Sequence, residues 1–136
     1  MATPELELQG AIVARLKADP AVAALVNGRI YDAVPGGAVF PYVTIGPTDS
    51  VDDSADCITG FLMAQQIDCW SRGVGKPEVK KIVDAVRAAL HGREAQMPLA
   101  TNAMPFFQHS TTRIVTDPDG LTSHGIIGFE AAIERR

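Results

Sequence analysis

The segment TGFLMAQQIDCWSRGVGKPEVKKIVDAVRAAL, residues 59–90, contains the two elements around which the rest of the chain must pack. Its first part, Thr59–Trp70, is predicted to be a long strand. From Pro77 to His91, apolar residues recur at spacings of three and four, which places them on one side of a helix. Pro77 suits the first helical position, and Gly92 suits the C-terminal cap. A helix with one apolar side must lie on an apolar surface, so we expect it to pack on the sheet that contains the strand.

Further elements are predicted on both sides of this segment. A first helix, capped by Thr3, ends near Ala18, and a short helix follows at Ala21–Val26. The remaining predicted strands are Pro41–Ile45, 106–115 and 121–134, and the turn sequence Asp117–Gly120 joins the last two as a hairpin. This order predicts a single α+β domain over residues 1–136. Its sheet is expected to be mostly antiparallel and four-stranded, with two main helices packed on one face.

Size and composition exclude several classes of protein. The 136 residues carry a net charge of −4 without a run of Lys or Arg, so general attraction to nucleic acid is not expected. No apolar run is long enough to cross a bilayer, and the N-terminal residues lack the pattern of a secretory signal. Cys57 and Cys69 have no metal-ligand spacing and form no disulfide framework, which is typical of a reducing cytosol.

No catalytic, metal or cofactor residue is predicted. The glycine clusters lack the spacing of phosphate-binding loops, and no cysteine or serine has a recognisable base beside it. The histidines are scattered singly. His109 and His124 are possible cross-strand neighbours in the predicted hairpin, but ordinary strand histidines are the preferred interpretation.

The sharpest polar feature is an acidic segment, predicted as a loop over residues 46–57. It contains Asp49, Asp52, Asp53 and Asp56 but lacks the glycine and the distal glutamate of a calcium loop. A solvated mobile loop is therefore favoured over a cation site.

Several segments taken together resemble a known family. They are Leu25–Asp32 (LVNGRIYD), Pro41–Gly46 (PYVTIG), Gln66–Ser71 (QIDCWS) and Asp119–Phe129 (DGLTSHGIIGF). In this order the chain resembles the tail-completion or tail-terminator proteins of long-tailed bacteriophages and gene transfer agents. The resemblance implies a structural, non-enzymatic α+β subunit that needs no cofactor. It also implies a ring, commonly a hexamer, that caps the completed tail tube and docks it to the head-side connector.

The resemblance carries further expectations about partners and location. The partners would be other copies of the chain, the tail tube protein and the connector, with DNA passing through the lumen without sequence-specific binding. The protein would be in the cytoplasm of the bacterial host during assembly, and then at the head–tail junction of the virion or particle. The alternative is a small α+β ligand-binding or hydrolytic domain whose site is not recognisable in the sequence.

A ring subunit must expose apolar groups that only assembly covers. Candidates are Val39 and Phe40, and Met104, Phe106 and Phe107, because each set places large apolar residues in a segment with turn chemistry. The alternative is that both sets pack on the edge of the sheet. The four aspartates of the acidic segment would either line the lumen, where they would repel passing DNA, or contact a basic partner.

Overall fold

The computed structural model describes residues 3–136, which form an α+β domain as expected. The helices are α1 (Pro4–Ala18), α2 (Pro20–Val26) and α3 (Pro77–Leu90), with a 3₁₀ turn at Glu94–Gln96. The strands are β1 (Ile30–Tyr31), β2 (Tyr42–Asp52), β3 (Gly60–Ser71), β4 (Asn102–Thr116) and β5 (Ser123–Arg135). They form one sheet in the order β1-β2-β3-β5-β4.

The expected four-stranded sheet is wrong by one strand. The antiparallel part, β2-β3-β5-β4, is present, and β1 adds a parallel pair with Val43 and Thr44 at its outer edge. The backbone N–H of Val43 donates to the carbonyl of Arg29 at 2.9 Å, and the Arg29 side chain donates to the carbonyl of Pro41 at 2.8 Å. Two residues are too few to show the alternation by which strands are recognised in a sequence.

The first helices begin and end where local chemistry predicts. Thr3 accepts a hydrogen bond from the N–H of Leu6, which caps α1. Asp19 caps α2 by accepting from the N–H groups of Ala21 and Val22. Both helices carry proline in their first turn, where its missing N–H leaves no bond unmade.

The core lies between the helices and one face of the sheet. The predicted apolar side of α3 is buried and consists of Val79, Ile82, Val83, Val86 and Leu90. This side of α3 packs on β5 and β3. A Cβ on Gly125 of β5 would come within 2.5 Å of Val83 Cγ2. The helix therefore lies unusually close to β5 at this point, and only glycine leaves it room. Helix α1 buries Leu8, Ile12 and Leu16 in the same core.

Two strands extend beyond their predicted limits. Strand β2 continues to Asp52 because a bulge between Ile45 and Thr48 resets its pairing with β3. Strand β4 begins at Asn102, four residues before the predicted start, and contains bulges after Ala103 and after His109. The paired backbone continues through these polar and irregular segments, although the side-chain pattern does not.

Candidate functional site

The four aspartates of the acidic segment lie along one flank of the sheet, and the prediction that they share one loop is wrong. Asp49 and Asp52 belong to β2, and Asp53 and Asp56 to the turn that leads to β3. Because β1 pairs only with residues 43 and 44, the second half of β2 is an open edge. Charged side chains are common on such edges, since they discourage uncontrolled strand pairing. We call these four residues the acidic flank.

Hydrogen bonds give the turn of the acidic flank a defined shape. The Ser54 hydroxyl donates to Asp52 Oδ1 at 2.6 Å and accepts from the N–H of Gly60 at 3.1 Å. Ala55 and Ile58 form a small antiparallel bridge around the exposed Cys57. The carboxylates of Asp49, Asp53 and Asp56 have no cationic partner within residues 3–136. In the same range, no group of three or more His, Cys, Asp and Glu side chains could hold a metal ion.

A basic cavity of about 570 Å³ lies on the opposite flank, where the end of α3 meets β4. We define the basic cavity by its cationic and imidazole lining residues, Arg87, His91, Arg93 and His109. The chain after α3 covers the β4 edge here: Gly92 N–H donates to the Phe107 carbonyl at 2.8 Å, and His109 N–H donates to His91 Nδ1 at 3.0 Å. These bonds hold the two histidines at the mouth of one cleft, although they are 18 positions apart in the chain.

The cations of this cavity are only partly compensated. Arg87 contacts Asp84 at 3.3 Å and donates to the hydroxyl of Thr112. Arg93 makes no side-chain hydrogen bond or ion pair with any described residue from 3 to 136. Asp84 also lines the cleft, so its two guanidinium groups face one carboxylate.

Sequence reasoning did not find this cavity, because its basic residues come from a helix end, a turn and a distant strand. The possible pairing of His109 with His124 is wrong. His109 lies opposite Phe129 on the helix side of the sheet, and His124 lies opposite Val115 on the other face. The bulge after His109 shifts the register, so counting outward from the turn does not give the partner of His109.

No helix covers the second face of the sheet within residues 3–136, and an apolar row crosses it. The row runs through four neighbouring strands in register: Val51, Leu62, Ala132 and Phe106. Val51 is 60% exposed at the β2 end, and Phe106 is half-buried at the β4 end. We call these four residues the apolar row.

The candidate interface residues divide into exposed and buried members. Val39 is 63% exposed, while the half-buried Phe40 ring lies 4.4 Å beneath the guanidinium of Arg72. Met104 is half-buried and packs against the core. Phe107 is 0% exposed and stacks on Phe129 with 4.9 Å between ring centroids. Phe107 is therefore a core residue and not an interface residue, because a fully buried ring presents no surface to a partner.

The uncovered face also carries a nearly buried acid–base pair. His124 Nε2 lies 2.7 Å from Asp68 Oδ1, and the His124 ring stacks on Trp70 at 3.8 Å. Trp70 in turn donates to the Thr44 hydroxyl at 3.0 Å. Nucleophilic catalysis would need a hydroxyl or thiol bonded to the histidine, and the contacts of His124 are with Asp68 and the Trp70 ring. The cluster ties β2, β3 and β5 together across this face.

The buried thiol next to this pair is not a nucleophile. Burial, and after it the charge of Asp68, raises the pKa of Cys69 well above its ordinary value. The thiol therefore stays protonated and behaves as a small apolar core residue. Among the described residues 3–136, no helix is both long and apolar enough to cross a membrane.

Comparison with known proteins gives one consistent result. The sequence profile of a family described as tail completion protein gp17 matches residues 10–134. The fold is similar to that of a chain in the virion of a native gene transfer agent particle, with 28% identity, a TM-score of 0.87, and 93% of this chain and 94% of that chain covered. It is also similar to the gp17 protein of bacteriophage SPP1, with 26% identity, a TM-score of 0.56, and coverage of 93% and 88%. Comparison with curated protein sequences finds no match.

Proposed function

The chain belongs to the tail completion protein gp17 family, and from this premise we propose that it forms a ring that terminates a phage-type tail tube and joins it to the head connector. As a member of this family, it is a structural component of the tail in a bacteriophage or gene transfer agent virion. The ring, its position on the tail and its partners are what we propose in addition.

One observation carries the proposal. A chain of a gene transfer agent virion has the same fold over 93% of this sequence, with a TM-score of 0.87. The similarity extends over nearly the whole length of both chains. A family of tail completion proteins also has an evident structural task, since a finished tube must be closed and attached at its end.

The proposed partners follow from that task. Copies of the chain contact one another around a ring, which we propose to be a hexamer. One side of the ring contacts the tail tube protein, the other contacts the head-side connector, and DNA passes through the lumen without sequence-specific binding. The subunits assemble in the cytoplasm of the bacterial host and then remain at the head–tail junction. No catalytic step is part of the proposal.

Three surfaces suit these contacts. Val39 and Phe40 lie together in the loop before β2, where an exposed side chain can anchor a partner. Phe106 and Met104 lie on β4, and Phe106 ends the apolar row. The carboxylates of the acidic flank are the third candidate, and we assign them to contact with a partner because three of them lack a cation within residues 3–136.

A reconstitution experiment tests the proposed function. A preparation from cells that lack this protein should contain filled heads and separate tails. Purified protein added to that preparation should restore joined particles. Restored joining with the added protein at the junction supports the proposal. Normally joined particles in the absence of the protein would contradict it, and a search for ligands or substrates would then be the next step.

A further inference from the structure

The outer edge of β2 carries unpaired backbone groups beyond the short stretch that β1 covers. The N–H of Asp53 donates to the carbonyl of Gly60 on β3 at 2.9 Å. Because successive residues direct their backbone groups to opposite sides of a strand, the even-numbered residues here point away from β3. These residues are Thr48, Ser50, Asp52 and Ser54. Their backbone N–H and C=O groups make no hydrogen bond with any other described residue from 3 to 136.

The outer edge of β4 is open only after the bulge that follows His109. Before the bulge, residues 91–93 cover the strand, and Pro105 has no N–H to offer. After it, the N–H of Asp117 donates to the carbonyl of Thr122 across the hairpin at 2.8 Å, so the even-numbered residues again point outward. These residues are Thr112, Ile114 and Thr116. Within residues 3–136 their backbone groups also lack a partner beyond β4.

The two open edges match in direction and in face. Strands β2 and β4 run in opposite directions, because each of the strand pairs that connect them is antiparallel. Residues 50–54 of one subunit can therefore pair with residues 112–116 of the next as an antiparallel ladder of up to about six hydrogen bonds. In both strands the side chains of the even-numbered residues lie on the helix side, where their partners within the sheet include the buried Met63 and Ile127. The helices therefore stay on one face across the boundary.

This register uses the whole open edge of β4 without a collision. The tip of the turn at Cys57 reaches about the level of the neighbour's His109, where the cover by residues 91–93 begins. A shift of two residues in one direction would drive this turn into that cover and the neighbour's hairpin turn against β1. A shift in the other direction would leave Thr112 without a partner.

On the uncovered face, the register pairs side chains that lack a partner within the subunit. Asp53 stands opposite the neighbour's Arg113, and neither side chain forms an ion pair or hydrogen bond with any described residue from 3 to 136. Val51, 60% exposed, stands opposite the partly buried Val115, so the contact removes apolar surface from water. Opposite charges and apolar groups are favourable cross-strand pairs.

The helix side adds a further charge match. Asp52 stands opposite the neighbour's Ile114 and diagonal to its Thr112. The Thr112 hydroxyl accepts from Arg87 at 3.2 Å, which holds this guanidinium over the edge of β4. Diagonal positions in a sheet lie within reach of long side chains, so Arg87 faces the Asp52 carboxylate across the boundary.

The pairing joins different levels of the sheet, so the strands must be inclined to the ring axis. Ser50 is level with Ala131 of β5 and Thr116 with Ser123, eight positions apart, which is about 26 Å along the strand. Across the strands, one subunit takes up about 19 Å, at four steps of 4.7–4.9 Å. The ring closes when the strands are inclined by about 50°, slightly more than the 35–45° typical of closed barrels. Without this inclination the same contact would build a helical filament.

We propose that successive subunits join through their sheets, with residues 50–54 of β2 and its turn pairing with residues 112–116 of the neighbour's β4. This inference rests on the proposed ring and specifies the contact that builds it. The partner is a second copy of the chain, and the contact is head-to-tail because the two edges differ. It satisfies the open backbone groups of both edges and neutralises Asp53 with Arg113.

Disulfide trapping on assembled tails tests the contact. Val51→Cys with Val115→Cys, in a Cys57→Ser background, puts thiols on directly opposite residues of neighbouring subunits. Opposite residues of this kind have Cα atoms about 4.5 Å apart, within the range that a disulfide bridges. Oxidation with copper phenanthroline should therefore give a ladder of covalent multimers up to the size of the ring. The remaining cysteine, Cys69, is buried.

The matched control is Val51→Cys with Gln108→Cys in the same background. Gln108 is exposed on the same face of β4, but its partner Glu130 is six positions along β5 from the partner of Val115, about 20 Å away. A ladder with Val115→Cys and none with Gln108→Cys supports the contact. Rings on the tails without a ladder, or with an equal ladder for the control, would overturn the contact and leave the ring intact. If the wild-type protein forms no rings on tails that lack it, both proposals are wrong.

Charge exchange gives a second readout of the same contact. Arg113→Glu should lower the yield of rings on tails by about tenfold or more, and Asp53→Arg should do the same, because like charges would then face each other. The two substitutions combined in one chain should restore assembly, since the pair is only inverted. Lys17→Glu, an exposed change on α1, is the control for net charge. A combined variant as defective as its parents would overturn the pairing.

Discussion

Truncating Phe107 to alanine should destabilise the subunit far more than truncating its neighbour Phe106. Phe107 is 0% exposed and stacks on Phe129 in the core, so its loss removes apolar contacts and leaves a cavity. Such core truncations cost about 3–5 kcal/mol. Burial of a whole phenylalanine removes about 150–250 Å² from water, worth about 4–6 kcal/mol at 25 cal/mol per Å², which agrees with that range.

Phe106 lies on the uncovered face and is half-buried, so about half of the same area is involved and no closed cavity forms. Half of that area corresponds to about 2–3 kcal/mol as an upper bound, because the unfolded chain already buries part of its apolar surface. Its truncation should therefore cost about 2 kcal/mol or less. The free energy of unfolding would be measured from urea titrations followed by circular dichroism, at concentrations low enough that association does not contribute. With a urea slope of about 2 kcal/mol per molar, Phe107→Ala should lower the midpoint by about 2 M and Phe106→Ala by about 1 M or less.

Equal losses for the two variants would refute this reasoning, because the register of β4 against β5 puts only Phe107 on the helix side. A loss below about 1 kcal/mol for Phe107→Ala would contradict the packing of the core itself. The pair also has a functional contrast: Phe106→Ala should fold but join tails poorly, since it removes one end of the apolar row.

Three further changes test packing and electrostatics. Gly125→Ala should lower the free energy of unfolding by about 1–3 kcal/mol, because its methyl group would stand 2.5 Å from Val83 Cγ2; an unchanged urea midpoint would mean that α3 lies further from the sheet. Gly10→Ala, in open space on α1, should instead raise it by about 0.5–1 kcal/mol, and a loss would contradict that exposure. Hydrogen bonds from the Thr122 hydroxyl and then from backbone N–H groups lower the pKa of Asp119 to about 2. Its stabilisation is therefore complete above the unfolded pKa of about 3.9 and disappears as the pH falls through about 2. Asp119→Asn should accordingly be less stable than wild type near neutral pH, with a gap that closes in acid; a gap independent of pH would contradict the assignment.

The helices could be predicted because their signals are local. In α3, proline at the start, glycine after the end and an apolar stripe between them all lie within 16 residues, from Pro77 to Gly92. The caps at Thr3 and Asp19 also act within three residues of their own position. No knowledge of the remaining chain is needed to read such contacts from the sequence.

The strands were harder to delimit because a strand's partner decides its length. Residues 46–52 are mostly polar, and their sequence predicts a loop. In the structure, β3 offers them a continuous partner, and the bulge at Gly46 and Pro47 absorbs the mismatch. The two phenylalanines at 106 and 107 show the same difficulty. The alternation of side chains along a strand indicates that one of the two phenylalanines points into the core. Only the pairing of Phe107 with Ala131 identifies Phe107 as that residue.

The interaction surfaces were predictable only in part for the same reason. The acidic residues are neighbours in sequence and could be recognised as a cluster before the fold was known. The basic cavity assembles His91 with His109 across 18 positions through hydrogen bonds to the backbone. The order of the strands places this cavity and the acidic flank on opposite sides of the sheet, which no local pattern shows.

The central claim, a ring at the head-proximal end of the tail, is tested most directly by electron microscopy of gold-labelled protein on tails that lack it. We expect label at the head-proximal end of each tail and at no other position, with end views that show a closed ring. Label elsewhere on the junction would assign the protein to a connector. No binding to any particle, by a labelled protein that is correctly folded, would contradict the account.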